Sequence, residues 1–360
     1  MASKVVDIIS SKLDGEIKFE KIHLRPFTTL VLKNAVIIDK NPYVDPTDST
    51  CFPVDTFFRA EYIIARFSFE GLFDNEALHL DKAYISNAQM NLVLEDKSGI
   101  EGADTTYNDN LSRLFRLKPA EEKKIRNDKE IFHIRKVEID GMGFHMKNHG
   151  SHRLPYRGGI NWDDLDVREI HIDVRELQYK GGVMSGEADR ITFREKTGFT
   201  VQEMSGIASS GRGKTTIRDL HIKDLWSDMH INLYQMSFNS MKDFSDFLAK
   251  VKIDGDIANS RLDIRAICYF APELEGNTLN ATISGKLTGY VNAFSIDKVK
   301  LTTDDGEFST TVTGSMKGIP DIGQTTLDAR ADNMFFTFRG LGKFISQWIP
   351  DGELDMSALA

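Results

Sequence analysis

The run Leu279-Asn280-Ala281-Thr282-Ile283-Ser284-Gly285-Lys286-Leu287-Thr288-Gly289 puts an apolar residue or glycine at every odd position and a polar residue at every even one. A period of two is the signature of a β-strand, whose successive side chains point to opposite faces. Such a strand has one apolar face, and that face must be covered. Similar runs recur along most of the chain, so the functional question is whether a closed core, a partner protein or a lipid does the covering.

Composition narrows the class. With 360 residues, 41% hydrophobic and 28% charged, the chain can bury a large core and is not a disordered polymer. Its net charge is -9, with 45 basic residues scattered among 54 acidic ones, so it lacks the basic stripe that nucleic-acid binding requires. Nine prolines and 23 phenylalanines favour long ladders over loop-rich folds. Cys51 and Cys268 are too few for a disulfide framework and wrongly placed for a metal knuckle. Cys268 shares phase with Leu262, Ile264, Ala266 and Phe270, which predicts a buried thiol in a strand. No stretch approaches the roughly 20 apolar residues of a membrane span, and the first residues lack the blocks of a secretory signal. The opening Met1-Ala2-Ser3 and the alternating run barely begun at Gly352–Met356 suggest a fragment of something longer.

Residues 1–13 carry apolar side chains at helical spacing before Asp14-Gly15, predicting a short amphipathic helix. A first β unit over 14–97 follows, with strands at 17–24 and 30–38 and a break at Asn87-Ala88 between paired strands 77–85 and 89–94. Between 98 and 130 the alternation fails; Leu111, Leu114, Phe115 and Leu117 predict a brief helix in a charged connector. From 131 to 360 strand signals resume at 131–139, 142–147, 167–179, 186–194, 199–207, 215–225, 228–238, 251–270, 277–301, 306–316 and 325–338. Two helical interruptions break this run, one carrying Met241, Phe244, Phe247 and Leu248, the other Leu341, Phe344, Ile345 and Trp348. Their likeness at an offset of 100 residues predicts a loose strand-helix-strand repeat, stacked into an object with an open end.

No motif for catalysis stands out. Ser210-Gly211-Arg212-Gly213-Lys214-Thr215-Thr216 ends like a phosphate-binding loop, but Ala208 replaces its leading glycine and a strand follows, which predicts a polar hairpin turn. His133, His145, His149 and His152 crowd one region without a cysteine or a helical His-x-x-x-His pair, and read as surface histidines. Asp163-Asp164 and Asp304-Asp305 read as turn formers. Neither a Gly-x-Ser-x-Gly elbow nor a His-Glu-x-x-His pair occurs. The reading is of a non-enzyme with no catalytic residues, no metal and no cofactor.

The segment from Lys12-Leu13-Asp14-Gly15 through Ile17, Phe19, Ile22, Leu24, Phe27, Leu30, Leu32 and Val36 to Ile38-Asp39 resembles the N-terminal unit of AsmA-like proteins. The likeness is to their TamB branch in Bacteroides-type bacteria. Phe67-Ser68-Phe69-Glu70-Gly71-Leu72-Phe73, the run from Leu78 to Leu94, and Leu279–Phe344 with Gly314-Ser315-Met316-Lys317-Gly318-Ile319-Pro320 continue the likeness. The resemblance implies a mainly β fold, an elongated, twisted antiparallel sheet curled into an open, taco-like groove with a few short helices. It implies a periplasmic protein anchored in the inner membrane by a helix missing here. Its groove would conduct phospholipid toward the outer membrane, and its missing C-terminal region would meet a barrel partner of TamA or BamA type.

Exposing acyl chains to water costs about 0.8 kcal/mol per methylene, so two sixteen-carbon tails face roughly 20 kcal/mol or more. A continuous apolar trough removes most of that barrier without precise ligand geometry. The in-phase residues expected to line it are Leu262, Ile264, Ala266, Leu279, Ala281, Ile283, Leu287, Phe308 and Val312. A scaffold that pairs its sheet edge with nascent outer-membrane strands is the alternative. A β-solenoid enzyme acting on polysaccharide is a third reading, which needs carboxylates or aromatics clustered on an outer face.

Overall fold

The structure, a computed structural model, describes residues 13–25, 28–45, 54–69, 77–97, 107–116, 129–150, 159–239, 243, 246–318 and 324–346. The protein is mainly β, and among the described residues its strands are hydrogen-bonded in an open order that does not close on itself. The chain divides into two compact units, Met1–Thr200 and Val201–Ala360. Most of the expected N-terminal helix, residues 121–128 of the connector, and Met241, Phe244 and Trp348 lie outside the described residues.

The first unit contains β1 (Glu16–Lys18), β2 (Lys21–Arg25), β3 (Thr29–Ile38), β4 (Thr56–Phe67), β5 (Leu78–Leu94), β6 (Glu130–Asn148), β7 (Asp164–Lys180), β8 (Val183–Glu195) and one five-residue helix, α1 (Asn110–Leu114). Neighbours pair in chain order, with both β1 and β2 beside β3. All described pairs are antiparallel except β5 with β6, which run parallel because the α1-bearing connection returns the chain to its starting end.

The sequence pattern of β5 changes parity twice. Leu78 and Leu80 are followed by Ala83 and Ile85, then by Ala88, Met90 and Leu92. In a regular strand each change would throw the next residues onto the other face. Bulges prevent this by absorbing one residue each. Asn87 takes φ 47° and Gly141, its counterpart on β6, takes φ 73°. The two strands slip together, pairing Leu80 with Ile134, Ile85 with Ile139 and Met90 with Phe144. On β7, Glu169 (φ 52°) and Glu176 (φ 51°) do the same between Val167 and Ile170 and between Val174 and Leu177. The strands expected at 77–85 and 89–94 are therefore one strand, as are those expected at 131–139 and 142–147.

One end of this unit is sealed by a small core. Leu13, Phe57 and Leu114 are buried together against Ile17, Ile37, Phe58, Met90 and Leu111. Asp109 caps α1 by accepting from Ser112 N at 2.6 Å, and Asn110 bridges to β5, donating to Asn91 O and accepting from Val93 N, both at 3.0 Å. Behind the helix, Arg113 donates to both oxygens of the 2%-exposed Asp39 at 2.9 and 2.7 Å and to Glu95 at 3.0 Å. Hydrogen bonding to Asp39 outweighs burial and raises the guanidinium pKa.

The second unit contains β9 (Thr200–Gly211), β10 (Lys214–Asp224), β11 (Asp228–Ser237), α2 (Phe247–Lys250), β12 (Lys252–Asp263), α3 (Ile264–Cys268), a 3₁₀ turn (Pro272–Leu274), β13 (Asn280–Tyr290), β14 (Ala293–Thr303), β15 (Phe308–Lys317), β16 (Thr326–Phe336) and α4 (Phe338–Ser346). Its strands pair antiparallel in chain order. The Ser210–Thr216 segment is a hairpin turn, with Arg212 and Gly213 both at positive φ as a tight two-residue loop demands. The strand expected over 251–270 instead stops at Asp263, whose carboxylate caps α3 by accepting from Arg265 N at 2.9 Å. Cys268 therefore lies in a helix, half-buried, with its thiol pKa raised by burial. The expected strand over 277–301 is the β13–β14 hairpin.

Replacing Arg113 by alanine leaves Asp39 and Glu95 buried without their main partner. The expected cost is about 3–5 kcal/mol, read as a lowered midpoint in urea unfolding. Arg113→Lys recovers only part of it, because one ammonium cannot span both oxygens of Asp39.

Candidate functional site

The bulges bring the apolar residues of β3 to β8 onto one face in transverse rows. Leu32, Ile63, Ile85, Ile139, Ile172 and Ile191 form one row through successive cross-strand pairs. Beside it run Leu30, Ala65, Ala83, Val137, Val174 and Ala188 on one flank and Ala35, Ala60, Ala88, Met142 and Ile170 on the other. Further rows are Ile37, Phe58, Met90, Phe144 and Val167, then Phe67, Leu80, Ile134 and Leu177, and lastly Leu78, Phe132, Tyr179 and Met184.

The opposite face is charged over β6 to β8, while on β3 to β5 it also carries Val31, Ile64, Tyr62 and Tyr84. Glu138 accepts from Lys136 at 2.5 Å and also from Lys82, and these two amines hold its carboxyl below the usual range. Arg135 lies 3.4 Å from Asp81, His171 Nδ1 lies 2.8 Å from Asp140, and Arg175 reaches Asp189 at 2.7 Å and Glu187 at 2.8 Å. Segregation of this kind orients a sheet: the charged side belongs in water and the other side does not.

At one end of the apolar side the cluster of Leu13, Phe57 and Leu114 packs on Ile37, Phe58 and Met90, and among the described residues no element lies over the central row. The six-residue central row is only half-buried throughout, whereas a face packed on a second layer loses nearly all contact with solvent. The first unit's single described helix has five residues and touches β5. Six adjacent strands at 4.7–4.9 Å spacing give the face a width of roughly 24 Å. Soluble monomers rarely leave an apolar patch of such size unpartnered.

The second unit repeats the arrangement with gaps. Ile217, Tyr234, Gly255, Leu287, Ile296, Gly314 and Ala329 make one row, and Met236, Ile253, Gly289, Phe294, Met316 and Leu327 another. Of the nine residues expected to line a groove, Leu262, Ala281, Ile283, Leu287 and Val312 share this face. Phe308 has the same parity but is capped by α4, its ring stacked on Phe344 with centroids 4.2 Å apart. Ile264 and Ala266 are buried in α3 rather than placed along a strand. Leu279 precedes β13 and accepts from Ile264 N at 2.9 Å. The more extensive rows of the first unit were missed because their parity changes broke every window of strict alternation. The shared 54-residue offset of the skips in β5 and β6 was the available signal.

The histidines singled out in the sequence are not gathered together. His133 Nε2 lies 2.6 Å from Glu176, His145 Nε2 lies 2.9 Å from Asp164, and His149 Nδ1 lies 2.8 Å from Asp45; His152 lies outside the described residues. Asp163 and Asp305 act in turns, Asp163 accepting from Asn148 and Asp305 from Thr303 and Glu307 N. Among the described residues no helix is long and apolar enough to cross a membrane. No protein-family model matches the chain, and no curated protein matches it either.

Because Ile139 is half-exposed, truncating it to alanine should cost about 1 kcal/mol, while Leu114→Ala in the sealed end costs about 2–5 kcal/mol. Equal losses in urea unfolding would mean that the face is covered after all.

Proposed function

We propose that the apolar strand faces bind the acyl chains of phospholipids, and that the chain is part of a periplasmic, inner-membrane-anchored protein that carries lipid toward the outer membrane. The supporting observation is the set of apolar rows across β3 to β8, whose central row stays half-buried behind a reverse face that is charged over β6 to β8. An acyl chain asks for continuous apolar area and little directional bonding, which is what aliphatic rows offer. The face is wider than the roughly 15 Å that one leaflet's tails span, so it accommodates a chain laid across several strands. In this reading the faces line a curled groove, headgroups stay in water, and a barrel partner of TamA or BamA type receives the lipid.

A second reading, a scaffold for nascent barrel strands, draws on β16. This strand pairs with β15 on one side only among the described residues, and exposes Leu327, Met334, Phe335 and Phe336. An unpaired, apolar edge is a template for strand addition.

The purified chain should carry co-purified phospholipid, detected by native mass spectrometry or solvent extraction. The triple variant Ile85→Asp, Ile139→Asp, Ile172→Asp should remain folded by circular dichroism and lose that lipid. A wild-type chain that is lipid-free and rejects fluorescent phospholipid would overturn the proposal. Crosslinks from β16 to barrel precursors in the absence of bound lipid would favour the scaffold.

A further inference from the structure

The ionic side of the second unit holds a cluster that lipid binding does not use. His221 on β10 and His230 on β11 are direct cross-strand partners, with rings stacked 4.3 Å apart at an interplanar angle of 3°. Both Nε2 atoms approach the same oxygen, Asp228 Oδ1, at 2.8 Å from His221 and 3.3 Å from His230. On the other neighbouring strand, β9, Glu203 Oε1 lies 3.7 Å from His221 Nδ1.

We propose that His221, His230 and Asp228 bind a divalent transition-metal ion of the zinc class, with Glu203 as a positioning residue behind His221. Two imidazole nitrogens and one carboxylate oxygen suit Zn²⁺, Ni²⁺ or Cu²⁺ better than Mg²⁺ or Ca²⁺, which prefer oxygen shells. Metal–donor bonds of 2.0–2.2 Å in a tetrahedral shell place neighbouring donors roughly 3.3 Å apart, close to the separations found here. The strand register places both histidines side by side, and because their rings lie parallel, rotation of the imidazoles turns the two Nε2 lone pairs toward one ion. The hairpin loop beside them is held by Asp224, which accepts from Trp226 N at 2.6 Å and Ser227 N at 2.7 Å. The cluster is partly open to solvent, which leaves an entry path and room for water at the remaining coordination position. A carboxylate bonded to the far nitrogen of a ligating histidine fixes its tautomer, a role that Glu203, 3.7 Å from His221 Nδ1, takes up by closing a few tenths of an ångström when the ion binds.

The related cross-strand pair His79 and His133 is less converged. Its rings are nearly perpendicular with centroids 6.4 Å apart, and Glu176 occupies His133 Nε2.

The test is a zinc titration of untagged, chelator-stripped full chain against a competing chromophoric chelator. Zinc should raise the melting temperature, and His230→Ala should lose one bound ion per chain, or weaken it more than tenfold, with an unchanged circular dichroism spectrum. Glu203→Gln should weaken the same ion about tenfold without changing stoichiometry. Should His230→Ala fail to fold, Asp228→Asn makes the same comparison. Equal stoichiometry and affinity in wild type and variant, or no zinc bound by the wild type, overturns the site.

Discussion

Everything in the first unit depends on keeping apolar and charged side chains on opposite faces over strands of up to nineteen residues. The strand period is two, and a single uncompensated slip would put Ile139 among the lysines and Glu138 among the isoleucines. The bulges at Asn87, Gly141, Glu169 and Glu176 are what hold the segregation, each absorbing one residue at positive φ. Glycine and asparagine reach that conformation at little cost, while the two glutamates carry strain that the flanking ladder must offset. Bulges also increase local twist, so the devices that preserve the two faces shape the sheet as well.

That arrangement moves the source of stability away from a conventional core. A sandwich gains most from interdigitating two sheets, but here the central row is half-exposed and the sealed cluster around Leu114 is small. The backbone ladders, the cross-strand apolar neighbours and the ends carry the rest. Arg113 at one end and the Asp263–Arg265–Trp226 group in the second unit are alike in construction. Asp263 is 1% exposed, Arg265 donates to it, and the guanidinium carbon lies 3.9 Å over the Trp226 ring. Burial alone would raise the Asp263 pKa, yet the hydrogen bonds from Arg265 bring it below the usual value. In both units a charged pair closes a helix onto a strand end where apolar area is scarce.

The strand content and open order were legible because alternation is local. Runs such as Asn280–Tyr290 state their faces without any knowledge of the neighbours. Two things were not legible. A bulge is chosen by the partner strand as much as by its own residue, so Glu169 and Glu176 look like ordinary strand glutamates, and the apolar rows of the first unit went unread. Ile264, Ala266 and Cys268 continue the alternation of β12, but Asp263 can cap a helix and Arg265 can return to it, and these local bonds outcompete the ladder. Likewise His79 and His133, or His221 and His230, lie distant in sequence or across a hairpin, and only the register makes them neighbours.

The half-exposure of the rows bears on what an occupant gains. An isoleucine already buried by its own protein offers a ligand nothing, and one isolated in water is too small a target. A side chain flanked by aliphatic neighbours on both adjacent strands keeps a definite conformation while part of its surface stays wet, so a guest loses little to reordering the site. Under the proposed function, that residual area, spread over six strands, would supply affinity through many weak, interchangeable contacts. Interchangeability favours movement over capture: a tail sliding from one row to the next exchanges one set of methyl contacts for another and meets no deep well. Specific polar contacts would raise affinity at one place and hinder passage beyond it. Under the proposed function, the aliphatic character of the central row, Leu32 to Ile191, is what conduction along a sheet requires, as distinct from storage at a point.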